Sequence, residues 1–182
     1  MKRIFPMLIF LVLFSVACTT SQKEKAVSHS GVARKIGEGP YGKFLVLRDP
    51  RTRRILKNTR YRLLLPADVE KKLKKKLGRK IDTGIGSYIG RTDKKGRTAF
   101  LKSQSQEVLD HYQVMEVVGE GKCGESFYIV DAYNKEPLAG MRYTITTHGK
   151  ELASGYSDEN GNSKYLMGPC GMDLEIKVYG PE

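Results

Sequence analysis

The chain has no tryptophan, only three cysteines and only three histidines among its 182 residues. His29, His111 and His148 lie far apart, and no Cys/His spacing of a zinc site occurs. No nucleophile-elbow pattern is present, so the sequence offers no serine hydrolase site. Asp93-x-x-Gly96 and Asp158-x-Asn160-Gly161 lack the further oxygen ligands and terminal Glu of a calcium loop, and read as turns. Gly37-Glu38-Gly39 and Gly119-Glu120-Gly121 are not phosphate loops; they read as linkers. The apolar run Ile4 to Phe14 contains Pro6 and is too short for a comfortable membrane span. No catalytic site, metal or cofactor is therefore read from the chain, and the expectation is a protein that is not an enzyme.

What is there begins at the amino terminus. Met1-Lys2-Arg3 precedes the apolar run, and Ser15-Val16-Ala17 precede Cys18. A basic start, an apolar stretch and small residues are the parts of an export signal. With a cysteine next, the segment resembles the lipobox of bacterial lipoproteins. That resemblance implies a signal peptide over 1–17, a covalent lipid on Cys18 and no other prosthetic group. Several acyl chains anchor far more strongly than one. Thr19 follows where an Asp would favour the inner membrane, so the implied address is the periplasmic face of the outer membrane.

Charge is divided unevenly. Residues 19–110 hold 24 basic and 9 acidic side chains, whereas residues 111–182 hold 6 and 11. Opposite signs suggest two modules, with an anionic partner meeting the first. Export argues against nucleic acid and leaves anionic lipid, glycan or an acidic protein. With Cys18 lipidated, Cys123 and Cys170 remain, and an even pair in an oxidising compartment reads as a disulfide. A reactive cysteine is the sharper alternative, but neither has a nearby histidine that reads as a base.

The polar stretch 18–39 reads as a lipidated tether. Beyond it the chain contains a diverged repeat. Phe44 to Asp49, Tyr61 to Leu65 and Asp93-x-x-Gly96 recur in order as Phe127 to Asp131, Tyr143 to Ile145 and Asp158-x-x-Gly161. The expected modules are 40–110 and 111–182. Tyr61, Leu63 and Leu65, then Met141, Tyr143 and Ile145, then Leu174, Ile176 and Val178 alternate with polar residues, which predicts strands wet on one face. Short strands with regular turns make the fold class mainly β, two diverged β-sandwich repeats.

The first copy carries an insertion at 66–82. Val69, Leu73 and Leu77 form a helical stripe, with Pro66 and Asp68 at its start and Gly78 at its end. Lys71, Lys72, Lys74, Lys75, Lys76, Arg79 and Lys80 cover the rest and form the candidate partner-binding set. The stripe is expected to dock the helix on its own sheet. Clustered ammonium groups raise the local potential and speed encounter with an acidic partner.

Phe127 to Asp131, Glu136-Pro137-Leu138-Ala139-Gly140-Met141-Arg142-Tyr143 and Gly155 to Gly161 resemble a known pattern. It belongs to the transthyretin- or immunoglobulin-like β-sandwich modules associated with type VI secretion. Lys135 stands where that pattern has Gly, and Ser157 where it has Thr. Together with the lipobox, the resemblance implies an immunity lipoprotein that neutralises a secreted effector, a phospholipase attacking membranes being the type in view. Two alternatives stay open: a structural outer-membrane lipoprotein of a secretion complex, or an envelope lipoprotein binding anionic glycan or lipid.

Overall fold

A computed structural model describes residues 35–77 and 88–180; Cys18, Arg79 and Lys80 lie outside the described residues. The described chain is mainly β. It forms two compact units dividing between Val118 and Gly119, rather than after Asp110. The boundary moves because strand β6, Gln113–Gly119, pairs antiparallel with β3, Arg60–Leu64, along Tyr61 to Leu64.

In that unit β4, Ile89–Arg91, flanks the other edge of β3. A second sheet runs in the order β1, Lys35–Ile36, then β5, Phe100–Ser103, then β2, Tyr41–Lys43. The tether expected over 18–39 thus ends earlier. Lys35 and Ile36 pair in parallel with Phe100 and Leu101, and Ile36 packs on the core. Gly39 is no free linker either. It sits at φ 140°, and a Cβ there would fall 2.1 Å from the Ser103 carbonyl oxygen. The core gathers Leu47, Tyr61, Leu63, Leu65, Leu101, Leu109 and Tyr112, all below 7% exposed. Arg62 is also buried, where the alternation of β3 predicts a wet face. Helix α1 spans Ala67–Leu77. A second helix, α2 at Gln106–Asp110, was not signalled by periodicity because it is barely one turn; it buries Val108 and Leu109.

The second unit pairs β7, Cys123–Glu125, with β10, Tyr165–Gly168. Its other sheet has the order β11, Glu175–Val178, then β8, Arg142–Thr147, then β9, Lys150–Tyr156. Tyr143 and Ile145 are buried on the inner face of β8 as the alternation predicts, and Ile176 and Val178 are half-buried. Cys123 and Cys170 form a disulfide across 47 residues with Cα atoms 5.0 Å apart. On the chain-entropy account a loop of that size stabilises by about 4 kcal/mol.

The same hydrogen bonds recur in both units. The Tyr61 hydroxyl accepts the Ala99 N–H at 2.8 Å, and the Tyr143 hydroxyl accepts the Lys164 N–H at 2.7 Å. Thr98 Oγ1 accepts the Leu45 N–H, and Ser163 Oγ accepts the Phe127 N–H. Thr92 Oγ1 donates to the Leu56 carbonyl and accepts from Thr59 N–H, while Ser157 Oγ does the same with Leu138 and Met141. Each bond satisfies a backbone group that would otherwise be costly to bury. These shared bonds set a register between the two units different from the one read in the sequence. Leu45, not Phe44, corresponds to Phe127, since Thr98 N–H reaches Leu45 O as Ser163 N–H reaches Phe127 O. Phe44 packs instead on the Phe100 ring, 4.8 Å between centroids. The offset from the first copy to the second is then constant from Leu45 to Tyr61. Lys135, which replaces the glycine of the resembled pattern, has φ 61°, a left-handed conformation that glycine adopts without strain. Its counterpart Arg53 has φ 58°.

Candidate functional site

The two units differ most between paired strands. In the second, β8 and β9 join through His148 and Gly149, with φ 47° and 75°, and Thr147 pairs with Lys150. Two successive positive φ values are what a tight two-residue hairpin needs. In the first, β3 and β4 are the equivalent antiparallel pair, but α1 and the residues after it lie between them. The insertion therefore adds an element at the end of a shorter pair, three paired positions in β3–β4 against six in β8–β9.

Helix α1 forms for local and tertiary reasons. Asp68 and Glu70 lie in its first turn and Lys74, Lys75 and Lys76 in its last, which suits the helix dipole. Glu70 N–H donates to Pro66 O at 2.8 Å. Leu73 is 3% exposed, and Val69 and Leu77 pack on the same core. The apolar stripe thus docks the helix on its own unit, and the lysines face outward.

Their partners divide them. Lys72 approaches Asp68 at 3.8 Å and Lys74 approaches Glu70, each one turn back. Lys76 reaches Glu107 of α2 at 2.7 Å. Exposed pairs of this kind contribute little to stability, up to about 1 kcal/mol each. Lys71 and Lys75 are exposed and have no side-chain partner among the described residues. They stand four residues apart, so their ammonium groups share one helix face. Of the candidate set, this face presents the cations not already engaged; Arg79 and Lys80 lie outside the described residues.

The two Asp carboxylates are engaged within their own turns. Asp93 Oδ1 accepts the Lys95 and Arg97 N–H groups, and Oδ2 meets Arg97 Nε at 2.8 Å. Asp158 Oδ1 accepts the Asn160 and Asn162 N–H groups in the same way. The carboxylates shift in opposite directions. Burial raises both, and for Asp158 it prevails over the Asn162 and Asn160 donors, with Glu159 adding to the rise. For Asp93, burial is outweighed by the Arg97 backbone and guanidinium donors and the Lys95 N–H, which hold it below its ordinary value. His111 caps α2 and His148 occupies the hairpin turn. Among the described residues no three His, Cys, Asp or Glu side chains gather as metal ligands, and no helix is long and apolar enough to cross a membrane. Comparison of the chain with known protein families, with curated proteins and with solved structures gives no match.

Proposed function

We propose that this chain is a lipid-anchored periplasmic immunity protein, built on transthyretin-like modules, that binds a type VI secreted effector and covers its active site. One observation carries the binding role. Where the second unit closes a hairpin in two residues, the first carries a helix whose exposed Lys71 and Lys75 have no side-chain partner among the described residues. Such a surface suits an acidic rim or an anionic-substrate cleft, where compact ammonium groups attract carboxylates from a distance. A disulfide in the second unit suits an oxidising compartment. Anchoring at Cys18 would concentrate the inhibitor at the membrane under attack.

The test is stoichiometric. The chain beginning at Thr19 is used as bait in lysate containing secreted effectors, and any captured toxin is assayed for phospholipase or other activity with and without the bait. The reading expects one toxin, inhibited at one-to-one ratio, and at least about tenfold weaker capture by Lys71→Ser/Lys75→Ser. Capture of secretion-core proteins, or of a toxin that stays active, would overturn it.

A further inference from the structure

Two turns and a loop meet at one end of the first unit. Leu47 N–H donates to Gly96 O, and Leu47 O accepts from Leu56 N–H, so residues 45–48 run between 55–56 and 96–98. The turn at Asp49, where Arg53 N–H donates to Asp49 O, and the turn at Asp93 therefore emerge at the same end. Thr92 N–H donates to Thr59 O and brings the 57–60 loop beside them. Residues 48–60 and 91–97 carry ten Lys or Arg and two Asp, and Asp93 is engaged within its turn, as is Asp49 with Arg51 and Thr52. The corresponding residues 130–142 and 156–162 carry two basic and four acidic side chains on the same hydrogen-bond frame. The frame does not demand the charge.

Two further features separate this end from an ordinary solvated face. Arg60 and Arg91 are direct cross-strand partners between β3 and β4, which sets two guanidinium side chains side by side, Arg91 also donating to the Asn58 carbonyl oxygen. Val46 and Ile55 are exposed large aliphatic side chains, and they lie opposite Arg97 and Arg48 respectively. Cations around exposed aliphatic groups are the composition of a surface that rests in a lipid headgroup layer. The order of the chain points the same way. β1 starts at Lys35, so residues 19–34 alone separate Cys18 from this unit.

We infer that this end of the first unit is a membrane-docking surface. It takes the phosphates of anionic phospholipid headgroups on its guanidinium and ammonium groups, while Val46 and Ile55 enter the interface. The lipidation of Cys18 on which the proposed function rests supplies its orientation, not its binding chemistry.

Vesicle co-sedimentation of the chain beginning at Thr19, which keeps every described residue, tests the surface directly. It should sediment with vesicles containing phosphatidylglycerol, not with pure phosphatidylcholine, and be released by high salt. Arg54→Ser/Lys57→Ser/Lys94→Ser/Lys95→Ser should weaken binding at least about tenfold with an unchanged thermal melt, and Lys71→Ser/Lys75→Ser should not. Val46→Ser/Ile55→Ser should weaken it by a step that salt does not reproduce. Absence of sedimentation with the anionic vesicles overturns the inference. So does unchanged binding by the well-folded quadruple variant, or equally tight binding to soluble polyglutamate, which assigns the end to an acidic protein. Fractionation of the full chain carrying Cys18→Ser decides the lipid anchor separately and leaves the vesicle result standing.

Discussion

In the first unit the Asp93 turn is closed by Arg97, whose backbone N–H and guanidinium both serve the carboxylate. In the second the same turn is closed by Asn162, whose backbone and side-chain amides reach Asp158. Geometry is shared and charge is not. Lys94 and Lys95 decorate one turn, Glu159 and Asn160 the other. The comparison separates what the frame requires from what the surface carries. The frame requires an Asp, a glycine at positive φ and a short hydroxyl side chain before the Asp. It tolerates either sign outside, so the basic face of the first unit calls for an explanation beyond folding.

The units also differ in how they are secured, and the largest predicted effect breaks that difference. Cys123→Ser/Cys170→Ser should cost about 4 kcal/mol, read as lost amide protection in hydrogen exchange within residues 119–180. The first unit has no such link among its described residues and relies on packing under α1. Leu73→Ala should cost about 3 kcal/mol there, seen in denaturant unfolding followed by probes in residues 35–118. Removing the shared hydroxyls sharpens the likeness. Thr92→Val and Ser157→Ala should each cost about 1 kcal/mol by removing the partner of a part-buried backbone N–H and carbonyl, and should do so by similar amounts.

The opposite shifts of Asp93 and Asp158 predict opposite responses to acid. Asp93 lies below its ordinary 3.8 when folded, so its contribution to stability is full above that pH and is lost as pH falls below it. Asp158 lies above its ordinary 3.8, so the folded unit holds that proton more tightly and loses stability as pH rises through the interval above 3.8. Carboxyl carbon NMR should show the two groups titrating on opposite sides of that value, and Asn162→Arg should bring Asp158 down. The smallest effect on stability belongs to the helix surface. Lys71→Ser/Lys75→Ser should leave the melting temperature within about 2 °C, so any loss of partner binding reports the contact itself.

Much of this arrangement was legible in the chain. The alternation at Tyr143 and Ile145, the stripe Val69, Leu73 and Leu77, the two Asp turns and the pairing of Cys123 with Cys170 all follow from local period or from compartment chemistry. Four features did not. Ile36 is one of a few scattered apolar residues in a mostly polar stretch, and its parallel pairing with Leu101 makes it part of the fold. Phe44 looked equivalent to Phe127 because both are aromatic, whereas backbone register assigns that place to Leu45. Gly121 read as a linker, yet a Cβ there would meet the Gly168 carbonyl oxygen at 2.0 Å. Of the five described lysines of the helix set, three are engaged and two are free, which depends on where Asp68, Glu70 and Glu107 fall.

By itself, then, the sequence determined the mainly β class, the turns, the helix and its apolar face, and the uneven charge, because these depend on residue type and short-range spacing. The tertiary structure alone decided the boundary after Val118 and the gathering of residues 48–60 and 91–97 into one basic end. It alone decided which lysines of α1 have a side-chain partner among the described residues. Those follow from pairings between residues far apart in the chain, where register is chosen by backbone hydrogen bonds and burial that no local pattern encodes.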